Sequence, residues 1–333
     1  MKKKWILSIL TICFAFGSTA LPAINKAAAA EQTVLATTFP IYQIVRNVTQ
    51  GQEGLNLDLM LPSHLGCPHD YALTPEDMKK LAKADILVVN GLGLEEFLGA
   101  PVKRANDQIK IINSSTGIKK TIQYSEDPDH EGDDHEGHDD HGHHHAKEDE
   151  AHDEEEQHNH GGPNPHLFAS PRMTALLAMN IAAELSKLDP KGAATYAKNA
   201  KAYAETMNKL ADDMAELGKK LKNNRIIQPH GIFDYLARDI DLEIIAVMQA
   251  HGQEPSASEM VNLVKTIKKK NVGAIFTEPQ YPDKVGKTLA KETGVPVAML
   301  DPGETGPENA PLSYYETVMR QNMKTLEATL GTK

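Results

Sequence analysis

Fifteen histidines stand in this chain of 333 residues, and they are spread unevenly. Ten fall in one stretch: His130, His135, His138, His141, His143, His144, His145, His152, His158 and His160. The other five are His64, His69, His166, His230 and His251. A neutral imidazole is a good ligand for borderline divalent ions such as Zn²⁺. Where the isolated residues fall therefore matters. His230 follows an apolar run ending near Gln228, and His69 follows another after a short loop. Glu278 and Asp301 each come at the end of a further apolar run. In open parallel sheets, ligands bind beyond the carboxyl ends of the strands. The residues alone leave two readings open. A single histidine at a strand end is commonly a hydrogen-bonding loop residue, and Asp301 before Pro302-Gly303, like Glu278 before Pro279, can simply shape a turn. Outside the histidine-rich stretch no H-x-x-x-H or C-x-x-C spacing decides between them.

The elements that must position these side chains can be read from periodicity. Residues 34–38, 55–61, 86–90 and 109–113 read as strands in the first part of the chain. Leu55, Leu57, Leu59 and Leu61 alternate, while Ile86-Leu87-Val88-Val89 is a continuous run suited to a strand buried on both faces. Thr74-Pro75-Glu76-Asp77 opens a helix, with a cap, a proline at the first helical position and acids in the first turn. Ser170-Pro171 opens another, which runs to Leu188 and stops at Asp189-Pro190. A longer helix is predicted over 191–222, with apolar positions Tyr196, Ala200, Tyr203, Met207, Leu210, Met214, Leu217 and Leu221. At ~32 residues it would be ~48 Å long, enough to lie along two domains. After it, 225–228, 244–249, 272–277 and 295–300 read as strands, and 260–270 and 284–293 as helices. The expected fold class is α/β: two βα lobes with parallel sheets joined by one long, rigid linker helix. The expected boundaries are a first lobe over 31–190, a linker helix over 191–222 and a second lobe over 223–333.

Residues 1–30 are set apart from this fold. Lys2, Lys3 and Lys4 precede an apolar run, and the segment closes on Ala27-Ala28-Ala29-Ala30, the pattern of a secretory signal peptide. The apolar run is shorter than a spanning helix needs. Cys13 follows Ile12, where lipoprotein processing wants a small side chain, so a soluble periplasmic protein is expected. Cleavage leaves Cys67 as the one cysteine, so no intramolecular disulfide can form, and it removes Trp5, the one tryptophan. The formal charge of −11 is concentrated: residues 125–160 hold sixteen Asp or Glu and one Lys. With no basic face elsewhere, a nucleic-acid partner is excluded. The low-complexity loop at about 124–163 cannot build a core and is expected to be disordered without a ligand.

Four blocks carry a resemblance. They are LPSHLGCPHDYALTP from residue 61, NPHLFASPRM from 164, QPHGIFDYLARDIDLEIIAV from 228, and IFTEPQYPDKVGKTLA from 275 with VAMLDP following. In this order they resemble the metal-specific solute-binding proteins of zinc and manganese ABC importers, over nearly all of the mature chain. The resemblance implies a metal site in the interlobe cleft, with His69 and His166 from the first lobe and His230 and Asp301 from the second. Manganese-type members typically place Glu where His230 stands. Three imidazoles and a carboxylate suit tetrahedral Zn²⁺, whereas manganese favours more oxygen ligands. Auxiliary roles are open for His64, Cys67 and Glu278, and His251 matches no ligand of the family.

The implied function is capture of Zn²⁺ and its delivery to the membrane permease of an ABC importer, by a monomer and without catalysis. The histidine-rich loop, an insertion common in zinc-type members, offers many weak exchanging sites at high local concentration. Alternatives are a carrier of manganese or another divalent ion, an extracellular metal buffer, and a zinc hydrolase. The hydrolase lacks support, because catalytic zinc usually keeps an open position for water and no helical zinc motif supplies a general base.

Overall fold

The computed structural model describes residues 31–66, 68, 71–124, 162–249 and 254–332. The expected signal peptide, Cys67, His69, His251 and the ten histidines of the acidic loop lie outside these residues.

Among the described residues there are two four-stranded sheets, and every strand pair in both is parallel. The first is built from β1 (Gln32–Ala36), β2 (Leu55–Leu59), β3 (Ile86–Val89) and β4 (Lys110–Asn113), in the order β2-β1-β3-β4. The second is built from β5 (Arg225–Gln228), β6 (Glu243–Val247), β7 (Ala274–Thr277) and β8 (Val297–Met299), in the order β6-β5-β7-β8. The two lobes are therefore wound alike, although their sequences show no strong repeat. All four residues of β3 are buried, as its unbroken apolar run demands. In β2 the leucines are half-buried while Asn56 and Asp58 are exposed, the pattern of an edge strand with one face on the core.

The first lobe also carries α1 (Phe39–Thr49), α2 (Pro75–Lys83), α3 (Gly99–Ala105) and α4 (Pro171–Leu188). Both expected helix starts are realised by local chemistry. Thr74 and Asp77 form a capping box at α2, and the Ser170 hydroxyl accepts the Met173 N–H at α4. Helix α5 (Ala193–Gly218) has 26 residues and is thus ~39 Å long, shorter than the sequence suggests. At its end Gly218 lies directly on the Ile240 carbonyl, where a Cβ would collide. The chain then turns, and Leu221 bridges to Thr332.

The second lobe adds α6 (Asp234–Ile240), α7 (Ala257–Lys270), α8 (Lys284–Thr293) and α9 (Tyr314–Leu330). Helix α5 packs on α1 and α4 of the first lobe and on α6 and α9 of the second. Its buried face comprises Tyr196, Ala200, Tyr203, Met207, Leu210 and Met214. One apolar cluster consequently runs from Val34 and Ile86, through Leu210, to Phe276 and Leu326. Each fully buried side chain of this size contributes roughly 1.5–3 kcal/mol. A core shared in this way resists separation of the lobes. Short polar ties add to it: Arg46 Nη1 donates to the Ala310 carbonyl at 2.5 Å, and the Gly306 N–H donates to the Ser63 carbonyl at 3.0 Å.

Candidate metal centre

The carboxyl ends of both sheets face a common region between the lobes. In each sheet the strand order reverses at one point, between β1 and β3 and between β5 and β7, and such switch points open crevices. His230 follows β5 and Glu278 follows β7, so both stand at the second switch point.

His166 is set by the turn that precedes α4. Its backbone N–H donates to Asn164 Oδ1 at 2.8 Å, closing a tight turn across Pro165. Its ring Nδ1 lies 3.0 Å from the same oxygen. Asn164 Nδ2 is already a donor to the Gly231 carbonyl at 2.6 Å and to Asp234 Oδ2 at 2.9 Å, so Oδ1 must be the acceptor. His166 Nδ1 is therefore the donor to it. The ring is fully buried between Tyr124, at 5.8 Å between centroids, and Phe168, at 5.9 Å.

His230 lies 5.2 Å from His166 between ring centroids, in an edge-on arrangement. It caps a short 3-10 turn, Gly231–Phe233, whose direction is fixed by Gln228: Oε1 accepts the Phe233 N–H, and Nε2 donates to Asp234 Oδ1 at 2.7 Å. Asp234 thus joins the His230 turn to Asn164 and hence to His166. His230 Nδ1 lies 2.9 Å from Glu278 Oε1, within ion-pair distance but not aligned as a hydrogen bond. His230 Nε2 is buried and has no hydrogen-bonding partner among the described residues. A buried ring nitrogen in that condition, with a carboxylate behind the other nitrogen, is the usual arrangement of a metal-ligating imidazole.

The carboxylates divide into two groups. Glu278 and Glu304 are 1% and 3% exposed, and Gln280 Nε2 donates to both, to Glu278 Oε2 at 2.6 Å and to Glu304 Oε2 at 2.8 Å. Asp301 is more accessible. Its Oδ1 accepts the Gly303 N–H at 2.8 Å, and its backbone N–H and carbonyl are both held by the Asn322 side chain. Burial raises its pKa, the Gly303 N–H opposes that, and the charge of Glu278 adds to the rise. One oxygen of its carboxylate is thus engaged in the turn that the sequence allowed for. Glu304 is a buried carboxylate that the sequence did not single out. It lies in a loop with no strand or motif beside it, and only its burial against Gln280 reveals it.

Of the other candidates, His64 is exposed in the turn after β2. The loop that leads to His69 packs tightly against the second lobe, since a Cβ at Gly66 would lie 3.1 Å from Gln280 Cγ and from the Tyr281 hydroxyl. The residues that flank the acidic loop come together near His166: Gln123 and Pro163 form a bridge, and Tyr124 packs on His166. Among the described residues no group of three or more His, Cys, Asp or Glu side chains is gathered closely enough to hold a metal ion.

Two like-wound lobes on a shared helix, with ligand-type side chains meeting between them, define a cleft-type solute-binding protein. The family model described as zinc-uptake complex component A, periplasmic, matches residues 34–329, and the chain belongs to that family. A zinc-binding protein AdcA of Streptococcus pyogenes is 31% identical over 339 aligned residues, covering 99% of this chain and 62% of the relative. The chain thus spans about three-fifths of the length of the streptococcal relatives it matches. The high-affinity zinc uptake system protein ZnuA of Bacillus subtilis is 28% identical over 342 residues, covering 100% of both chains. The solved structure of FpvC from Pseudomonas aeruginosa in complex with Mn²⁺ superimposes with a TM-score of 0.70 at 25% identity, covering 90% of this chain and 98% of that one.

Proposed function

We propose that this chain takes up Zn²⁺ outside the cytoplasm in the cleft between its lobes and delivers it to the membrane permease of an ABC importer. The observation that carries this reading is the meeting of His166 and His230 at 5.2 Å, one imidazole on each side of the cleft, each with one ring nitrogen backed by a fixed side chain. Zn²⁺ is the cargo. The proposed ligands are His69, His166 and His230, with a carboxylate as the fourth. Asp301 is proposed for that place, since the Gly303 N–H engages only its Oδ1, and Glu304, whose Oε2 is held by Gln280, is the alternative. Glu278 orients His230 from behind. Four protein ligands close a tetrahedral shell, which suits carriage rather than hydrolysis. Residues 31–190 and 223–333 are taken as the two lobes, and the acidic loop as a collector of weakly held ions. No helix among the described residues is long and apolar enough to cross a membrane.

Calorimetric titration tests the proposal. The mature chain should bind one Zn²⁺ tightly, with weaker equivalents from the loop, and deletion of residues 125–160 should remove only the weak ones. Competition with Mn²⁺ should leave the tight site occupied by zinc. Loss of the tight equivalent on loop deletion, or its displacement by equimolar Mn²⁺, would sink the assignment.

A further inference from the structure

Glu95 is a buried carboxylate that the cleft chemistry does not use. It stands at the first lobe's switch point, opposite the position that His230 and Glu278 occupy in the second. Its Oε1 accepts the Thr37 hydroxyl at 2.7 Å and the Asn90 N–H at 2.7 Å, and its Oε2 accepts the Gly91 N–H at 3.0 Å. Thr37 follows β1 and Asn90 follows β3, so one carboxylate joins the ends of both central strands. Burial pushes the Glu95 carboxyl above the ordinary range, against the pull of these hydrogen bonds. A group this costly to bury calls for a reason.

The backbone that Glu95 holds is unusual. Gly91, Leu92 and Gly93 have φ values of 85°, 56° and 84°, three left-handed residues in a row. Leu92 has a Cβ and pays a steric cost there, and such conformations persist only where the surroundings over-determine them. Gly91 has no alternative, since a Cβ would run into the side chains of Asn113 and Ser115 at the end of β4. Ser114 adds a hydrogen bond from its hydroxyl to the Asn90 carbonyl at 3.1 Å. The outcome of this folding is the placement of Asn90, which is fully buried. Its Nδ2 donates to the Gly91 carbonyl and to the Pro165 carbonyl, each at 2.9 Å. Pro165 immediately precedes His166.

We infer that Glu95 is a positioning residue for metal binding: through the strained Asn90–Gly93 turn and the Asn90–Pro165 hydrogen bond it fixes the backbone from which His166 projects. His166 is then held from two directions, its ring by Asn164 and its peptide by Asn90. The inference deepens the zinc-binding reading and rests on it.

The test compares Glu95→Gln, Asn90→Asp, their double variant and His166→Ala in the mature protein with residues 125–160 deleted. Glu95→Gln places an amide donor against backbone N–H groups. Asn90→Asp keeps the shape but removes the donor to Pro165, and it keeps the inference testable if Glu95→Gln fails to fold. Residues that orient a metal ligand typically alter affinity about 10–100-fold. Each single variant is expected to raise the Zn²⁺ Kd by about tenfold or more, and the double variant no more than the worse single, because both act along one path. The visible spectrum of the Co²⁺-loaded protein should change in intensity in all three, a readout that loss of general stability does not move. A lower Tm with unchanged Kd and an unchanged Co²⁺ spectrum in Glu95→Gln and Asn90→Asp overturns the inference while His166→Ala still loses zinc. Unchanged affinity in His166→Ala removes the reading of the site itself.

Discussion

His166 and His230 come from different lobes, yet their rings lie 5.2 Å apart, and Asp234 and Asn164 form a hydrogen-bonded link between the turns that carry them. The two halves of the candidate site are therefore tied to each other by hydrogen bonds of the protein itself. That placement lowers the ordering cost of binding, since little side-chain freedom remains to be lost. The core shared along α5 acts in the same direction, because it limits how far the lobes can part.

Replacement of His230 with Ala removes one imidazole and leaves Glu278 buried without its partner. Zinc affinity should fall by about a hundredfold or more, which corresponds to at least ~2.8 kcal/mol. Calorimetry on the loop-deleted protein would show it, and a Kd within a few-fold of the parent would contradict the ligand assignment.

The two carboxylate candidates separate by substitution. Asp301→Asn should weaken zinc binding by about tenfold or more, whereas Glu304→Gln should change it by less than that, because the Gly303 N–H engages only Asp301 Oδ1 while Gln280 holds Glu304 Oε2. Equal losses in the two variants, or a larger one in Glu304→Gln, would reverse this order.

Alkaline pH should unfold the protein cooperatively. Burial raises the phenol pKa of Tyr196, Tyr203, Tyr235 and Tyr315, and Asp189 raises that of Tyr196 further. In the unfolded chain these groups lose their protons near pH ~10, while the folded state keeps them. Above that value the folded state binds more protons, so stability falls as pH rises towards the folded pKa values. Phenolate absorbance should lag behind the ordinary tyrosine titration and then rise together with loss of helical signal. Tyr196→Phe should reduce the pH dependence of stability in this range; early ionisation in a still-folded protein would refute the burial argument.

Gly218→Ala tests the seat of α5. Alanine ordinarily favours a helix by about 1 kcal/mol over glycine. Here its Cβ would meet the Ile240 carbonyl, so the change should destabilise the protein by about 1–3 kcal/mol. Thermal unfolding would register the sign. A rise in Tm would show that α5 and α6 can part without cost.

Much of the architecture was legible in the sequence because its signals are local. The apolar runs that became β1, β3, β5 and β7, the Thr74 and Ser170 caps, and α4 from Pro171 to Leu188 follow from periodicity, capping and proline chemistry within a few residues of one another. His230 could be singled out for the same reason, since its strand ends two residues earlier. Other features depend on residues far apart in the chain. The shared strand order of the two sheets, the seat of Gly218 against Ile240, the hydrogen bond between Asp301 and Gly303, the burial of Glu304 beside Gln280, and the line from Glu95 through Asn90 to Pro165 leave no periodic trace. The sequence by itself determined the two parallel lobes, the long helix between them and an unusual supply of metal-ligating side chains. Only the tertiary structure decided which of those side chains meet, because buried polar groups are selected by partners that the fold, and not the neighbouring residues, brings within reach.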